Sequence, residues 1–452
     1  MSLYDLVVRG GTLVTPDGAT TGDLAVADGR IVAMGTELEG SAAETIDASA
    51  LHVFPGLIDA HVHFNEPGRA EWEGIASGSR ALAVGGGTLF FDMPLNAHPP
   101  TVTAAAFALK RAAAEAASLV DFALWGGLVP GNLDELEPLA ELGVIGFKAF
   151  MANSGIDDFA AADDYTLYEG MRVAARLGQI IAVHAENDAI TGGLARRALA
   201  EGRTGARDYL ASRPAVAEWE AIGRAITLAE ETGCALHIVH VSTGRGVVLV
   251  AEACARGVDV SCETCPHYLV LTEDDLERLG AVAKCAPPLR PRSEIEALWE
   301  HLRAGTLPMV GSDHSPAPAA MKTGDDFFRI WGGISGCQST LPLLLAEGHA
   351  VRGLPVEVIS RRTAGYPAER FGLAPGRGAL QVGAQADLAL VAIDHEFTIA
   401  AADLHYRHRH SPYVGRRVRG RVARTLVRGI TVQRDGVGLG RAIGRLVAPN
   451  MT

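Results

Sequence analysis

Positive charge is in deficit along this chain: 40 lysines and arginines face 53 aspartates and glutamates, a formal net charge of −13. A protein so charged has no long-range field to collect phosphate backbones, which sets aside nucleic acid and anionic membranes as partners. Cysteine is scarce as well. Six in 452 residues make no disulfide framework and point to a reducing compartment. No apolar stretch reaches the roughly 18 residues that a membrane span needs. The opening MSLYDLVVRGG has neither the basic nor the apolar region of a secretory leader, so the expected location is cytoplasmic. Apolar mass is not lacking: hydrophobic residues make up 48% against 21% charged, a balance that excludes disorder and supports a large core. Glycine is plentiful at 52 residues, as many tight turns between short elements require. At roughly 150 residues per domain the length suggests two or three domains, although one (β/α) barrel takes about 250.

The first fifty residues read as β-structure. LVVRGGTLV, DLAVADGRIVAMG and AETIDA are short β-branched runs separated by glycine and aspartate turn chemistry. The same texture returns near the end in ADLALVAID and RVARTLVRGITVQRDG. The likeness of LVVRGGTLV to TLVRGITV suggests strands of one sheet contributed by both ends of the chain. Between them the rhythm changes. Apolar runs recur at FPGLIDAHVHF, GGTLFFDMPL, DFALWGGLV, GVIGFKAFM, QIIAVHAE, ALHIVHVS, VDVSCETCPHY and PMVGSDHS. Most are followed by a stretch with helical spacing, such as TAAAFALKRAAAEAA or YEGMRVAARLG. Strands alternating with helices imply right-handed crossovers and a parallel sheet, and eight repeats can close into a barrel. A doubly wound open sheet competes, but no glycine-rich phosphate loop follows the first strand and polar residues stand at many strand ends. The expected fold class is α/β: a (β/α)8 TIM-like barrel with a small β-sandwich domain from both termini, divided as 1–52, 53–375 and 376–452.

Those strand ends hold the chemistry. The first run ends in Asp59, His61 and His63, the fourth contains Lys148, the fifth ends at His184, the sixth at His240 and the eighth at Asp313. Residues i and i+2 of a strand share a face, so His61 and His63 can enter the barrel together. A single buried histidine is ordinarily a hydrogen-bonded core residue. Four histidines and an aspartate at one depth are better read as nitrogen and oxygen ligands for Zn2+ or a similar divalent ion. Barrel enzymes assemble their active sites at these C-terminal strand ends. Lys148 does not fit the set by charge, because an ammonium beside cations would lose its proton or leave.

PGLIDAHVHFNEPGR, GGGTLFFDMPLN, GFKAFMANSGI, VHAEN, HIVHVS, ETCPHYL, KCAPPLR and GSDHSP resemble the binuclear-metal cyclic amidohydrolases: dihydroorotases, dihydropyrimidinases or hydantoinases, and allantoinases. The resemblance runs over essentially the whole chain, including SPYVGRRVRGRV near its end. It implies that His61, His63 and Asp313 bind one metal and His184 and His240 the other. Lys148, carbamylated by CO2, would bridge both. The implied cofactors are two divalent ions per chain, Zn2+ by preference, with Mn2+, Co2+ or Fe2+ as alternatives. The implied protein is a homotetramer acting on a small cyclic amide.

Variable positions narrow the choice. Dihydroorotases typically carry arginine where this chain has Asn65, and asparagine cannot supply a charged fork to a substrate carboxylate. Dihydropyrimidinases typically place tyrosine five residues after the bridging lysine, where this chain has Asn153. FNEPGRAEWEG, FDMPLN, FMANSGIDDF, WGGISGCQS and YRHRHSPYVGR instead resemble the allantoinases. The implied reaction opens the ring amide of allantoin to allantoate: a hydroxide held between two close divalent ions attacks the carbonyl, and Asp313 moves the proton to the departing nitrogen. By the same resemblance Ser315 and the backbone near Ala286 and Gly332 hold the substrate, with Asn96 and Asn153 as further candidates. Ordinary roles compete for these, since loop asparagines turn the chain and serines after strands cap helices. A hydantoinase or dihydropyrimidinase is the alternative activity, a dihydroorotase stands behind it, and a metal-free scaffold of the same fold is the alternative of another class.

Other features carry less. Cys262 and Cys265 have redox spacing, but a regular strand sends i and i+3 to opposite faces and no second pair exists. His405, His408 and His410 belong to a structural segment. His237, three before His240, is expected on the outer side of the barrel. His267 and His314 stand beside the site as supporting residues.

Overall fold

The structure, a computed structural model, describes residues 3–449. Strands β1 (Tyr4–Thr15), β2 (Gly18–Ala27), β3 (Arg30–Gly35), β4 (Ala42–Asp47) and β5 (His52–Pro55) open the chain. Interleaved with helices come β6 (Leu57–Val62), β7 (Gly87–Asp92), β8 (Asp121–Leu124), β9 (Gly126–Gly127), β10 (Phe147–Phe150), β11 (Ile180–His184), β12 (Ala235–Ile238), β13 (Val260–Thr264) and β14 (Met309–Val310). The chain closes with β15 (Leu388–Thr398), β16 (Arg417–Val427), β17 (Ile430–Arg434) and β18 (Val437–Gly438).

Both ends of the chain enter one nine-stranded sheet in the order β18-β17-β16-β15-β5-β1-β2-β3, with β4 paired to β1. It folds over a core of Leu6, Val8, Leu24, Val26, Ile31, Leu388 and Leu426 and makes the small β-sandwich. The expected boundary at residue 52 falls inside β5, which stays paired with β15 through Pro55. Two hairpins are set by their turns. Asp28-Gly29 joins β2 to β3 and Arg428-Gly429 joins β16 to β17, with φ of 50° and 73° in the first pair and 49° and 73° in the second. Positive φ at both positions is the turn geometry that matches strand twist, and glycine adopts it without strain.

The eight apolar runs become eight parallel positions of a barrel. The third is broken at Trp125 into β8 and β9. Closure from β14 to β6 is made by His63 N–H donating to His314 O at 2.8 Å and Ser312 N–H donating to Asp59 Oδ1 at 2.9 Å. Every residue of β6, β7, β8, β11 and β13 is buried, which is why these strands read as unbroken apolar runs. Leu89, Phe91, Trp125, Ala182 and Met309 fill the interior above a floor of Phe371 and Leu373. Their neighbours Phe90, Phe122, Ile181 and Val183 pack outward against the helices. Thr103, Asp163, Asn187 and Thr243 cap helices that follow β7, β10, β11 and β12. Each accepts an otherwise unbonded amide, an interaction of about 1 kcal/mol that also fixes where the loop above the strand ends. Arg377 ties barrel to sandwich by donating to both Asp121 and Asp387. No helix among the described residues is long and apolar enough to cross a membrane.

Candidate metal centre at the mouth of the barrel

At the C-terminal ends of the strands the inward-facing residues change from apolar to ligating. The register of β6 against β7 shifts between Asp59 and Val62, and His61 and His63 reach the same point. The Nε2 atoms of both lie 3.3 Å from Asp313 Oδ1. His184 Nδ1 and His240 Nε2 face each other at 3.0 Å, and the His61 and His240 ring centroids are 5.5 Å apart. Lys148 comes in from β10 with its Nζ 4.9 Å from the Phe150 ring centroid and no hydrogen-bond partner among the described residues. All six sequence-predicted ligands are buried. His240 and Asp313 have φ of 42° and 44°, left-handed values that cost non-glycine residues about 1–3 kcal/mol and cluster at working sites.

The electrostatics suit ligation. Burial lowers the imidazoles of His63, His184 and His240, which favours the neutral form with a lone pair to share. Burial alone would raise Asp313, but His61 and His63 hold its carboxyl far below the usual carboxylate range. Burial pushes Lys148 down to about 7.

Several supporting residues escape a reading of sequence. Glu263 accepts from His61 Nδ1 at 2.5 Å, leaving His61 Nε2 to face Asp313. Glu186 takes the corresponding place on His184 Nε2 at 2.8 Å and is in turn bound by Arg213. The available signal was a carboxylate inside an otherwise buried strand run, and a glutamate two residues after a ligating histidine. His237 corrects an expectation: it is buried inside the barrel, 3.6 Å from Glu263 and edge-on to Phe371, rather than on the outer side. Counting three residues back from His240 misleads because β12 ends at Ile238 and the backbone turns at His240. Of the two spaced cysteines, Cys265 reaches the site, grouped with His267 and Asp313, and neither is disulfide-bonded. His408 donates to Glu71 O and Arg407 binds Glu73, so that segment packs on the loop after β6. Replacing Glu263 by Gln removes the charge that orients His61. Metal affinity should fall about 10–100-fold, read by competition with a chelator, and unchanged affinity would detach Glu263 from the centre.

Above the ligands lies a cavity of about 450 Å3 lined by His61, His63, His184, His240 and Asp313. Asn96, Asn153, Ala286, Ser315 and Gly332 all border it. Asn96 (φ 69°) brings its Nδ2 to 3.5 Å from Ser315 Oγ. Asn153 is committed locally, its Oδ1 accepting from Gly155 N–H at 2.8 Å as a turn asparagine does. Asn65 is fully buried, with its Nδ2 3.4 Å from Pro316 O. Arg213, Lys284 and Arg329 add three basic residues to the lining.

Imidazoles and a carboxylate converging at the C-terminal mouth of a (β/α)8 barrel define a class, the metal-dependent hydrolases. The amidohydrolase family matches residues 52–432, and the chain belongs to it. More narrowly, it is 62% identical over 449 residues to the allantoinase of Rubrobacter xylanophilus, a match covering 99% of this chain and 98% of that one. The allantoinase of Solibacter usitatus is 59% identical over 447 residues, 99% of this chain and 97% of its own. Among solved structures, L-hydantoinase (dihydropyrimidinase) from Arthrobacter aurescens superposes with a TM-score of 0.96 at 37% identity, covering 99% and 100% of the two chains. Dihydropyrimidinase from Brevibacillus agri does so at 0.92 and 32%, covering 100% of each.

Proposed function

We propose that this chain is an allantoin-opening cyclic amidohydrolase that converts allantoin to allantoate. The observation that carries the reading is the convergence of His61, His63, His184, His240 and Asp313 on the cavity of a chain 62% identical, over 99% of its length, to an allantoinase. The hydantoinase alternative rests on weaker likeness, 37% identity in the solved structure quoted above.

The family depends on a binuclear metal centre, and the donors present fit one. The His61 and His63 nitrogens converge on Asp313, the His184 and His240 nitrogens converge on each other, and Lys148 Nζ has no hydrogen-bond partner among the described residues. His61, His63 and Asp313 would hold one ion and His184 and His240 the other. We propose that the neutral Lys148 amine reacts with CO2, releasing a proton to solvent as the N–C bond forms, to give a carbamate that would serve as a shared anionic ligand. Zinc is the ion proposed, because neutral imidazoles and carboxylates suit it. When bound, such ions activate water and polarise a carbonyl. Asp313 takes the proton of the attacking water as its oxygen bonds to the ring carbon. It then hands that proton to the ring nitrogen as the C–N bond breaks. Ser315, Asn96 and the backbone of Ala286 and Gly332 border the place where the substrate's amide edges would lie. A homotetramer is the assembly proposed, on the family resemblance, and the cytoplasm the compartment proposed, on the scarcity of cysteine.

The test is release of allantoate from allantoin by metal-replete protein, lost on chelation and restored by a divalent ion. A metal-replete, folded protein that leaves allantoin intact would overturn the reading.

A further inference from the structure

One wall of the cavity is formed by six consecutive residues, 328–333. Their amides are nearly all occupied. Phe328 N–H donates to Asp326 Oδ1 at 3.0 Å. Arg329 and Ile330 donate to Asp326 O at 3.0 and 3.1 Å, Trp331 to Met321 O at 3.0 Å and Gly333 to Lys284 O at 2.7 Å. Among the described residues, Gly332 alone in this stretch has an amide without a partner. A side chain added there would meet nothing within 4 Å, so Gly332 borders open space.

The carbonyls of the same stretch are held by two buried ammonium groups. Lys284 Nζ donates to Ile330 O. Lys322 Nζ donates to Trp331 O at 3.0 Å, to Gly333 O, and more weakly to Ala281 O at 3.4 Å. Among the described residues, every hydrogen bond these ammonium groups make goes to a carbonyl oxygen. Burial pushes Lys284 down to about 8 and Lys322 to about 7. Burying a cation among neutral acceptors is costly, so packing alone is a poor reason for it. A lysine does offer three diverging donors, enough to gather several carbonyls of one loop.

The consequence follows from peptide planarity. The Trp331 carbonyl and the Gly332 N–H belong to one trans peptide unit and point in opposite directions. An ammonium that fixes the carbonyl therefore fixes the N–H on the opposite side, and polarises it into a stronger donor. We propose that Lys322 is a positioning residue: through the Trp331 carbonyl it aims the Gly332 amide into the cavity as a donor to a carbonyl oxygen of the cyclic amide. Lys284 steadies the adjoining Ile330 carbonyl. The proposal rests on the cyclic-amide reading above.

Steady-state kinetics of Lys322→Met, Lys322→Arg and Lys284→Met test it, with metal content and thermal unfolding measured on each. Loss of one aimed donor should raise KM in Lys322→Met by about 10-fold or more, with kcat changed less than about 3-fold and metal content as in the parent. Lys322→Arg, which keeps a charged donor, should recover part of the loss, and Lys284→Met should raise KM less. Should Lys322→Met fail to fold, Lys322→Gln, which can hold one carbonyl without charge, should give an intermediate KM. An unchanged KM in a folded Lys322→Met or Lys322→Gln protein overturns the proposal, as does a fall in kcat and metal content without a rise in KM. A parent that opens hydantoin but not allantoin refutes the substrate assignment instead, and the Lys322 comparison is then read with hydantoin.

Discussion

Lys148→Ala should yield a folded protein that retains little metal and opens allantoin at a vanishing rate. In the structure the Lys148 amine stands buried beside His184 and His240 with no hydrogen-bond partner among the described residues, a costly arrangement unless something is built on it. The proposed carbamate would supply an anionic ligand to each ion, and alanine would remove that ligand from both at once. His184 and His240 would then be left as neutral donors alone, and affinity should collapse, because metal binding depends on the charge and number of the ligands. Short carboxylic acids should restore part of the activity by occupying the vacated space. Elemental analysis gives the reference: about two ions per parent chain are expected of a binuclear hydrolase. A non-enzymatic scaffold would hold none after metal-replete expression. Undiminished metal and turnover in Lys148→Ala would remove the bridging role.

Asp313→Asn should retain the fold and lose turnover by about 10²–10⁴-fold, the usual range when general acid–base catalysis is lost. The side chain keeps its shape, but an amide oxygen is a far weaker base than the carboxylate that now sits 3.3 Å from both His61 and His63. Because Asp313 is also a proposed ligand, metal content must be measured beside rate. A variant with full metal content and a slow rate isolates the proton-transfer role. Near-normal turnover would require another base, and His267, grouped with Asp313 and Cys265, would be the next residue to change.

Much of this centre is legible in the sequence because its strands are buried on both faces. In a run such as QIIAVHAE every apolar residue has a ready explanation and His184 has none, so the polar residue stands out as functional. The same contrast exposes His61, His63, Lys148 and Asp313. Partners that depend on register across strands are not legible in this way. Glu263 is 202 residues from His61, and their pairing follows from the placing of β13 in the barrel. The orientation of His237 is lost because β12 ends two residues before His240 and the periodicity of two no longer applies. The hold of Lys284 and Lys322 on the 328–333 loop is likewise not legible, because it depends on how that loop folds back over them along the cavity wall. The sandwich is legible in outline from the β-branched texture at both ends, while its boundary slips past residue 52 because β5 continues the sheet before β6 begins the barrel.

The most direct test of the account is kcat/KM for allantoin, hydantoin, dihydrouracil and dihydroorotate, measured side by side on protein of one metal loading. Asn65 supplies no guanidinium where dihydroorotases typically carry one. Dihydroorotate's carboxylate would have to pair with Arg213 or Lys284 instead, and an unpaired carboxylate is a deficit of about 2–5 kcal/mol relative to a paired arrangement. Hydantoin and dihydrouracil lack the ureido arm, and polar groups at the cavity that meet that arm would be left unpaired. The account predicts a value for allantoin at least about 10²-fold above each of the other three. A dihydrouracil or hydantoin value equal to or above that of allantoin would contradict it and leave only the class of reaction standing.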